Sequence, residues 1–326
     1  MKRHFFETMA GLALVLAFAT VTNAYAQQYP SKPLRMIVSF PPGGSTDIVA
    51  RAIAQKLTEA LGEQVIVDNR PGGAGGIIGH NLAAKAPADG YTLLMTTSIT
   101  FAASAALYKN LPYDVLTDFD PVTMVASLPL ALVVHPSLPT RSVKELIALA
   151  KAKPAQLNYA SFGVGTSGHL AMEMFKLMAG VNITHVPYKG GGPALTGLIG
   201  GEVQALIISS VGALPHVKSG KLRLLALTSA TRSADVPDIP TVAETLPGYE
   251  VALWYGLFTP AGTPKSVIGR LNKDTVKIVQ SHEMQKRFAT EGGRTVGNSP
   301  EEFQRIVRSD VATWAKVVKE AGIKVE

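Results

Sequence analysis

Short β-rich runs and helical stretches alternate along most of this chain. The run LRMIVSF (34 to 40) predicts a strand. After PPGGST, the apolar positions of DIVARAIAQKLTEALG recur every three or four residues and predict a helix ending at Gly62. QVIVDN predicts a second strand, the glycine-rich RPGGAGG leads into a second helix, and YTLLMTTS (91 to 98) predicts a third strand. The middle of the chain repeats this plan. LALVVHP is strand-like, SVKELIALAKAKP is a helix closed by proline, LNYASF is a strand, and HLAMEMFKLMAG is a helix stopped by Gly180. THVPY, GPALTGLIGG, VQALIISS and KLRLLALT continue the alternation. A proline-rich stretch (233 to 249) follows, and the chain then runs through ALWYGLFTPAGTP into two amphipathic helices at about 265 to 290 and 300 to 321. Strands alternating with helices imply parallel pairing and an α/β sheet.

Two segments share one order of parts. SFPPGGST (39 to 46) and SFGVGTSG (161 to 168) each run from a strand through Ser-Phe, a glycine-rich loop and hydroxyl residues into a helix. Such a repeat predicts two similar lobes, each presenting a helix N-terminus at the carboxyl end of a sheet. In open α/β sheets, ligands bind there.

The first residues change the setting. MKRH is basic, GLALVLAFATV (11 to 21) is apolar but shorter than the roughly 20 residues a membrane span needs, and Ala24-Tyr25-Ala26 offers small residues for cleavage. This predicts a signal peptide at 1–26 and an exported, soluble mature chain. There is no cysteine, which excludes disulfides, thiolate chemistry and a lipid-modified cysteine at the cleavage site. An unanchored exported protein is retained by an outer membrane, so the expected compartment is a Gram-negative periplasm. The formal charge of +7 is spread singly, without a basic–aromatic strip. It supports a mild pull on anions and argues against nucleic acid as a partner.

A helix N-terminus carries unpaired N–H groups and the positive end of the helix dipole. Glycine lets a ligand approach the backbone, and Ser and Thr add short donors, so an anion can be held without Lys or Arg. Gly43-Gly44-Ser45-Thr46 and Gly165-Thr166-Ser167-Gly168 are both candidates for such sites. Asp47 complements the first helical turn, fixes the Gly43–Gly44 turn, or bonds a donor on the ligand. The segment from Tyr188 to Pro193 is either a third helix-start site walled by Tyr188 or a plain connection. RPGGAGG reads as a structural connection with a possible place at a cleft mouth.

Enzyme readings find little support. GVGTSG matches G-x-G-x-x-G, but no acid lies between Glu173 and Glu202 to hold a ribose, so no nicotinamide or other cofactor is expected. Gly165-Thr166-Ser167-Gly168-His169 departs from the G-x-S-x-G elbow, and Ser167 and His169 are too close in sequence to face each other. His169 is expected at a helix start or in the cleft. The remaining histidines show no metal-ligand spacing.

The runs YPSKPLRMIVSFPPGGSTDIVARAIAQKL, VIVDNRPGGAGGIIG, ADGYTLL, LNYASFGVGTSGHLAMEMF, VPYKGGGPAL and SGKLRLLALTSATRS together resemble the Bug/TctC-type substrate-binding receptors of tripartite tricarboxylate transporters. The resemblance spans the mature chain in order. It implies a two-lobed type II periplasmic binding protein fold with the ligand cleft between lobes. Lobe 1 would comprise 27–127 plus 252–326, and lobe 2 would comprise 128–251. The implied function is capture of a small carboxylate by a monomeric, non-enzymatic receptor that delivers it to membrane permease subunits. A signalling receptor, or a hydrolase or lyase on the same scaffold, are the alternatives. By position, the resemblance assigns Phe40, Pro42, Gly43, Gly44, Ser45, Asp47 and Ser98 to the first-lobe site. It assigns Ser161, Phe162, Thr166, Ser167, His169 and Tyr188 to the second. Many members carry acids in the strand after the GPAL helix, where this chain has VQALIISS. Ser209 and Ser210 supply hydroxyls there, so a ligand without an amino group is expected.

Overall fold

The chain builds two half-sheets and exchanges one strand between them. The computed structural model describes residues 29–72, 74–232, 236–289 and 293–324; the expected signal peptide lies outside these residues. The first half begins with β1 (Leu34–Val38), α1 (Ser45–Leu61), β2 (Val65–Asn69), α2 (Ile77–Ala84), β3 (Thr92–Thr97) and α3 (Ser98–Leu107). A long strand, β4 (Phe119–Val134), leads into α4 (Val143–Ala152), β5 (Asn158–Ser161), α5 (Ser167–Ala179), β6 (Thr184–Pro187), α6 (Gly191–Ile199), β7 (Ala205–Ser209), α7 (Ser210–Lys218) and β8 (Arg223–Leu227). The chain then returns through β9 (Ala252–Pro260), α8 (Lys265–Val279), α9 (His282–Ala289), β10 (Arg294–Thr295) and α10 (Pro300–Glu320).

In the first half-sheet the strands lie in the order β2-β1-β3-β9-β4. In the second, β5 pairs in parallel with β6 and β7, while β4 runs antiparallel between β7 and β8. The first half holds β9 and the short β10 antiparallel to its other strands, and the second holds β4; the chain brings β9 and β4 in from the opposite half. β4 pairs with β9 from Phe119 to Pro129 and with β7 from Leu130 onward. One apolar core, containing Leu57, Leu93, Leu146, Phe175 and Leu271, runs along a face shared by both halves. Ile37, Phe101, Phe258 and Phe303 fill the other face of the first half, and Val133, Leu198 and Leu206 that of the second. The result is a two-lobed α/β fold. Among the described residues, no helix is long and apolar enough to cross a membrane.

Several elements left no periodic signal in the sequence. The helix α3 is buried at most positions, including Ser98 to Ser104, so its hydrophobicity does not alternate. The helix α7 carries Pro215 inside it. The amphipathic stretch at 265 to 290 is two helices, parted at Gln280 and Ser281.

Thr228 clasps both strands that pass between the halves. Its hydroxyl accepts the Leu130 N–H (2.8 Å) and donates to the Val251 carbonyl (2.6 Å), in a fully buried site. On the next residue the opposite half takes hold: Ser98 Oγ donates to the Ala252 carbonyl and accepts the Trp254 N–H, each at 3.2 Å. Replacing Thr228 by Val keeps the shape and strands two buried backbone groups. We expect T228V to lose about 1–3 kcal/mol in urea unfolding, whereas an unchanged midpoint would mean that the hydroxyl is dispensable.

Candidate functional site

Where the two lobes face each other, a cleft of about 890 Å³ is lined by six strand-to-helix junctions. Lobe 1 contributes the loops after β1, β2 and β3, and lobe 2 those after β5, β6 and β7. Leu130 and Leu253, on the crossing strands, close the back. Among the described residues, none of the lining side chains is charged. A groove of similar size, about 940 Å³, lies on the first lobe alone and mixes Asp120, Glu301, Lys265 and Arg308. Movement of the lobes would not enclose a ligand there, so the uncharged cleft is the candidate site.

The two sequence repeats meet in this cleft with matching backbone geometry. Gly43 and Gly165 adopt φ of 80° and 77°, a left-handed region that favours glycine. The residues after them, Gly44 and Thr166, cap α1 and α5 with φ, ψ of −75°, 165° and −76°, 164°. Neither helix has a side-chain cap, so first-turn N–H groups and the positive dipole ends remain for a ligand. Ser45 and Ser167 follow at equivalent, half-buried positions. The Thr166 hydroxyl is committed to the Gly163 carbonyl at 2.7 Å. It closes its own loop and leaves Ser167 as the donor on that side.

Behind each loop, the third helical residue reaches back to the same N–H group. Asp47 Oδ2 accepts the Gly43 N–H at 2.9 Å, and His169 Nδ1 accepts the Gly165 N–H at 3.0 Å. Asp47 is further held by Arg51 Nε (3.0 Å) and Asn69 Nδ2 (2.9 Å), and Asn69 Nδ2 also donates to the Phe40 carbonyl. Burial pushes the Asp47 carboxyl up, but hydrogen bonds from Arg51, Gly43 and Asn69 outweigh it and hold it below the usual range. In lobe 2, burial lowers the His169 imidazole to about 4, with the Lys176 charge adding to it. The ring stacks on His185 at 4.0 Å between centroids, and His185 Nε2 lies 2.6 Å from Ser161 Oγ, which accepts the Gly163 N–H.

Nine of the fifteen residues singled out in the sequence line the cleft: Phe40, Pro42, Gly43, Gly44, Ser45, Phe162, Thr166, Ser167 and Ser209. The other six stand behind it or to one side. Asp47, Ser161 and His169 brace the loops, and Ser98 holds β9. Ser210 is buried in the first turn of α7, and Tyr188 points its hydroxyl to Glu202 at 2.9 Å. Thr97, Thr100, Leu130 and Leu253 also line the cleft. They sit in buried apolar surroundings, where sequence carries no local mark of a site. RPGGAGG does reach the cleft, through Pro71, Gly72, Gly75 and Gly76. Among the described residues, no three His, Asp or Glu side chains are grouped to hold a metal.

A family model described as "Tripartite tricarboxylate transporter family receptor" matches residues 49–323. The chain belongs to this receptor family. The receptor is 41% identical to Protein BugT of Bordetella pertussis over 303 residues, covering 92% of this chain and 93% of that protein. Among solved structures, R. palustris Rpa4515 with adipate is 39% identical with a TM-score of 0.83, covering 91% of the receptor and 100% of the other chain. MatC from Rhodopseudomonas palustris with bound malate is 30% identical with a TM-score of 0.79, covering 89% and 100%. These likenesses place the receptor's two lobes in the periplasmic binding protein fold.

Burial also lowers His80, to about 3, between Tyr113 and Thr96. In the unfolded chain, His80 and His169 take up protons near 6.5, whereas the native protein keeps them neutral far below that. Their contribution to stability is therefore complete above about pH 7 and is lost as pH drops through this window. At pH 5 the loss should be about 2 kcal/mol for each of these two imidazoles, read as a lower urea midpoint than at pH 7. A midpoint that is flat or rising toward pH 5 would contradict the buried neutral state.

Proposed function

We propose that this receptor is a periplasmic solute-binding protein that captures a small carboxylate in the interlobe cleft and delivers it to membrane permease subunits. The observation that carries this reading is a cleft that receives the uncapped N-termini of α1 and α5 and has no charged side chain on its wall. Such a lining favours an anion whose charge is met by backbone N–H groups, each worth about 1.5–3 kcal/mol to a charged acceptor. Phe40, Phe162, Ile208, Leu130 and Leu253 supply apolar surface for a hydrocarbon body. The bound adipate and malate of its structural relatives fit the same chemistry. With no acid on the wall, an ammonium group would be desolvated without a partner, so amino acids are disfavoured. Ser98, Ser161, Asp47 and His169 support the site by fixing backbone.

The lobes, 27–127 plus 252–326 and 128–251, would close by hinge motion where the chain passes from one to the other. The pairing change at Pro129–Leu130 and the two clasps at Val251 and Ala252 support a hinge at those bonds. Ser161 and His185 lie 2.6 Å apart, but neither lines the cleft, which supports a receptor role over turnover.

A thermal-shift panel tests this. At 100 times Kd a ligand adds about 2.7 kcal/mol, or roughly 5 °C for a chain of this size. Adipate, succinate, malate or benzoate should stabilise the protein, and S167A should weaken the best of them about tenfold. Stabilisation by aspartate or glutamate, with none from the others, would overturn the proposal.

A further inference from the structure

The two cradles share their backbone but differ in the group that holds it. Lobe 1 uses a carboxylate, Asp47, tied to Arg51 and Asn69 and therefore insensitive to mild acid. Lobe 2 uses an imidazole at the same helical position, with the same bond to the same left-handed glycine. A donor N–H at 3.0 Å requires that Nδ1 be bare, which places the single proton of His169 on Nε2. We propose that His169 is a positioning residue, the second-lobe counterpart of Asp47, and that a proton on its Nδ1 opens the second-lobe cradle. This inference rests on the carboxylate-receptor reading for its physiological meaning, though not for its geometry.

The surroundings make the imidazole responsive to one proton only. On its own helix, Glu173 Oε1 lies 4.0 Å from Nε2, and Lys176 Nζ pairs with that carboxylate at 2.6 Å. From β5, Tyr159 donates its hydroxyl to the same Glu173 oxygen and stacks 6.4 Å from the His169 ring. From β6, His185 stacks at 4.0 Å, too close for both rings to be charged. The strand β7 (ALIIS) and helix α3 (SITFAASAAL), both packed on α5, carry no titratable group. The helix α10 also packs on α5; its half-buried Asp310 is held by Trp254 Nε1 at 2.7 Å. Glu173, neutralised by Lys176, keeps the Nε2 proton in place at neutral pH. A second proton would have to go to Nδ1, where it meets the Gly165 N–H head-on. The loop would move off the ring and carry Thr166 and Ser167 out of register with lobe 1. Burial holds this event near pH 4 in the free protein.

Ligand carboxylates titrate in the same range, so binding alone does not decide the matter. The test uses ligand-free protein labelled with ¹⁵N-histidine and ¹⁵N-glycine. We expect His169 as the Nε2–H tautomer at pH 7.5, with the Gly165 amide resonance moving in step with its titration on acidification. An Nδ1–H tautomer, or a Gly165 amide that does not follow His169, overturns the inference whatever the protein binds. Two variants then read the cradle at pH 7.5 with succinate, adipate and suberate as probes. H169N keeps an acceptor at the reach Asp47 uses and should bind within about threefold of the parent. H169A should lose at least tenfold while its Gly43 amide stays unshifted. Equal binding by H169A and H169N would reduce the histidine to packing. If none of the probes bound the parent, the carboxylate reading would fail while the tautomer result stood.

Discussion

The start of a helix leaves backbone N–H groups without partners, and the rest of this molecule is arranged around that fact. A buried N–H without an acceptor is costly, so a fold that points several helix starts into one cleft must fill them with water or ligand. Six strand-to-helix junctions converge here, and none places a charged side chain on the wall. The anion-favouring potential is thus built from aligned peptide dipoles. These do not titrate, and they do not collapse onto a neighbouring acid when the cleft is empty. The titratable groups stand one layer back, where the Asp47 carboxylate and the neutral His169 imidazole each hold the turn that aims the N–H groups.

Two lobes are needed because one set of junctions covers only one side of a ligand. The strand exchange serves this arrangement directly. Each half-sheet takes an antiparallel strand, β9 or β4, from the chain arriving from the other half, and β4 is an ordered member of both sheets. Thr228 and Ser98 then fix consecutive residues of the returning segment from opposite sides. The proposed hinge lies between those clasps, beside Leu130 and Leu253 on the cleft wall.

Much of this was legible in the sequence, for identifiable reasons. Strands β1, β2, β3 and β5 and helices α1 and α5 carry clear periods, and Gly62 and Gly180 mark helix ends with φ of 76° and 62°. The repeat of SFPPGGST and SFGVGTSG marks two equivalent junctions because both need the same left-handed turn. The match to G-x-G-x-x-G likewise reflects backbone demands. At Gly168 a Cβ would sit 2.5 Å from the Ile207 carbonyl oxygen, so close helix-on-strand packing alone requires the last glycine. What stayed hidden was long-range. Nothing local in the sequence marks Ser98 as a clasp for β9, places Thr100 on the cleft wall, or turns Tyr188 toward Glu202. The exchange of β4 between two sheets is invisible to periodicity, since FDPVTMVASLPLALVV is buried almost throughout.

The central claim is that uncharged helix starts from both lobes hold the ligand. It is tested most directly by a crystal structure with the best-stabilising carboxylate bound. The account predicts carboxylate oxygens, or waters bridging to them, about 2.7–3.2 Å from first-turn N–H groups of α1 and α5. A carboxylate paired instead with a Lys or Arg side chain, or seated in the groove beside Lys265 and Arg308, would contradict it.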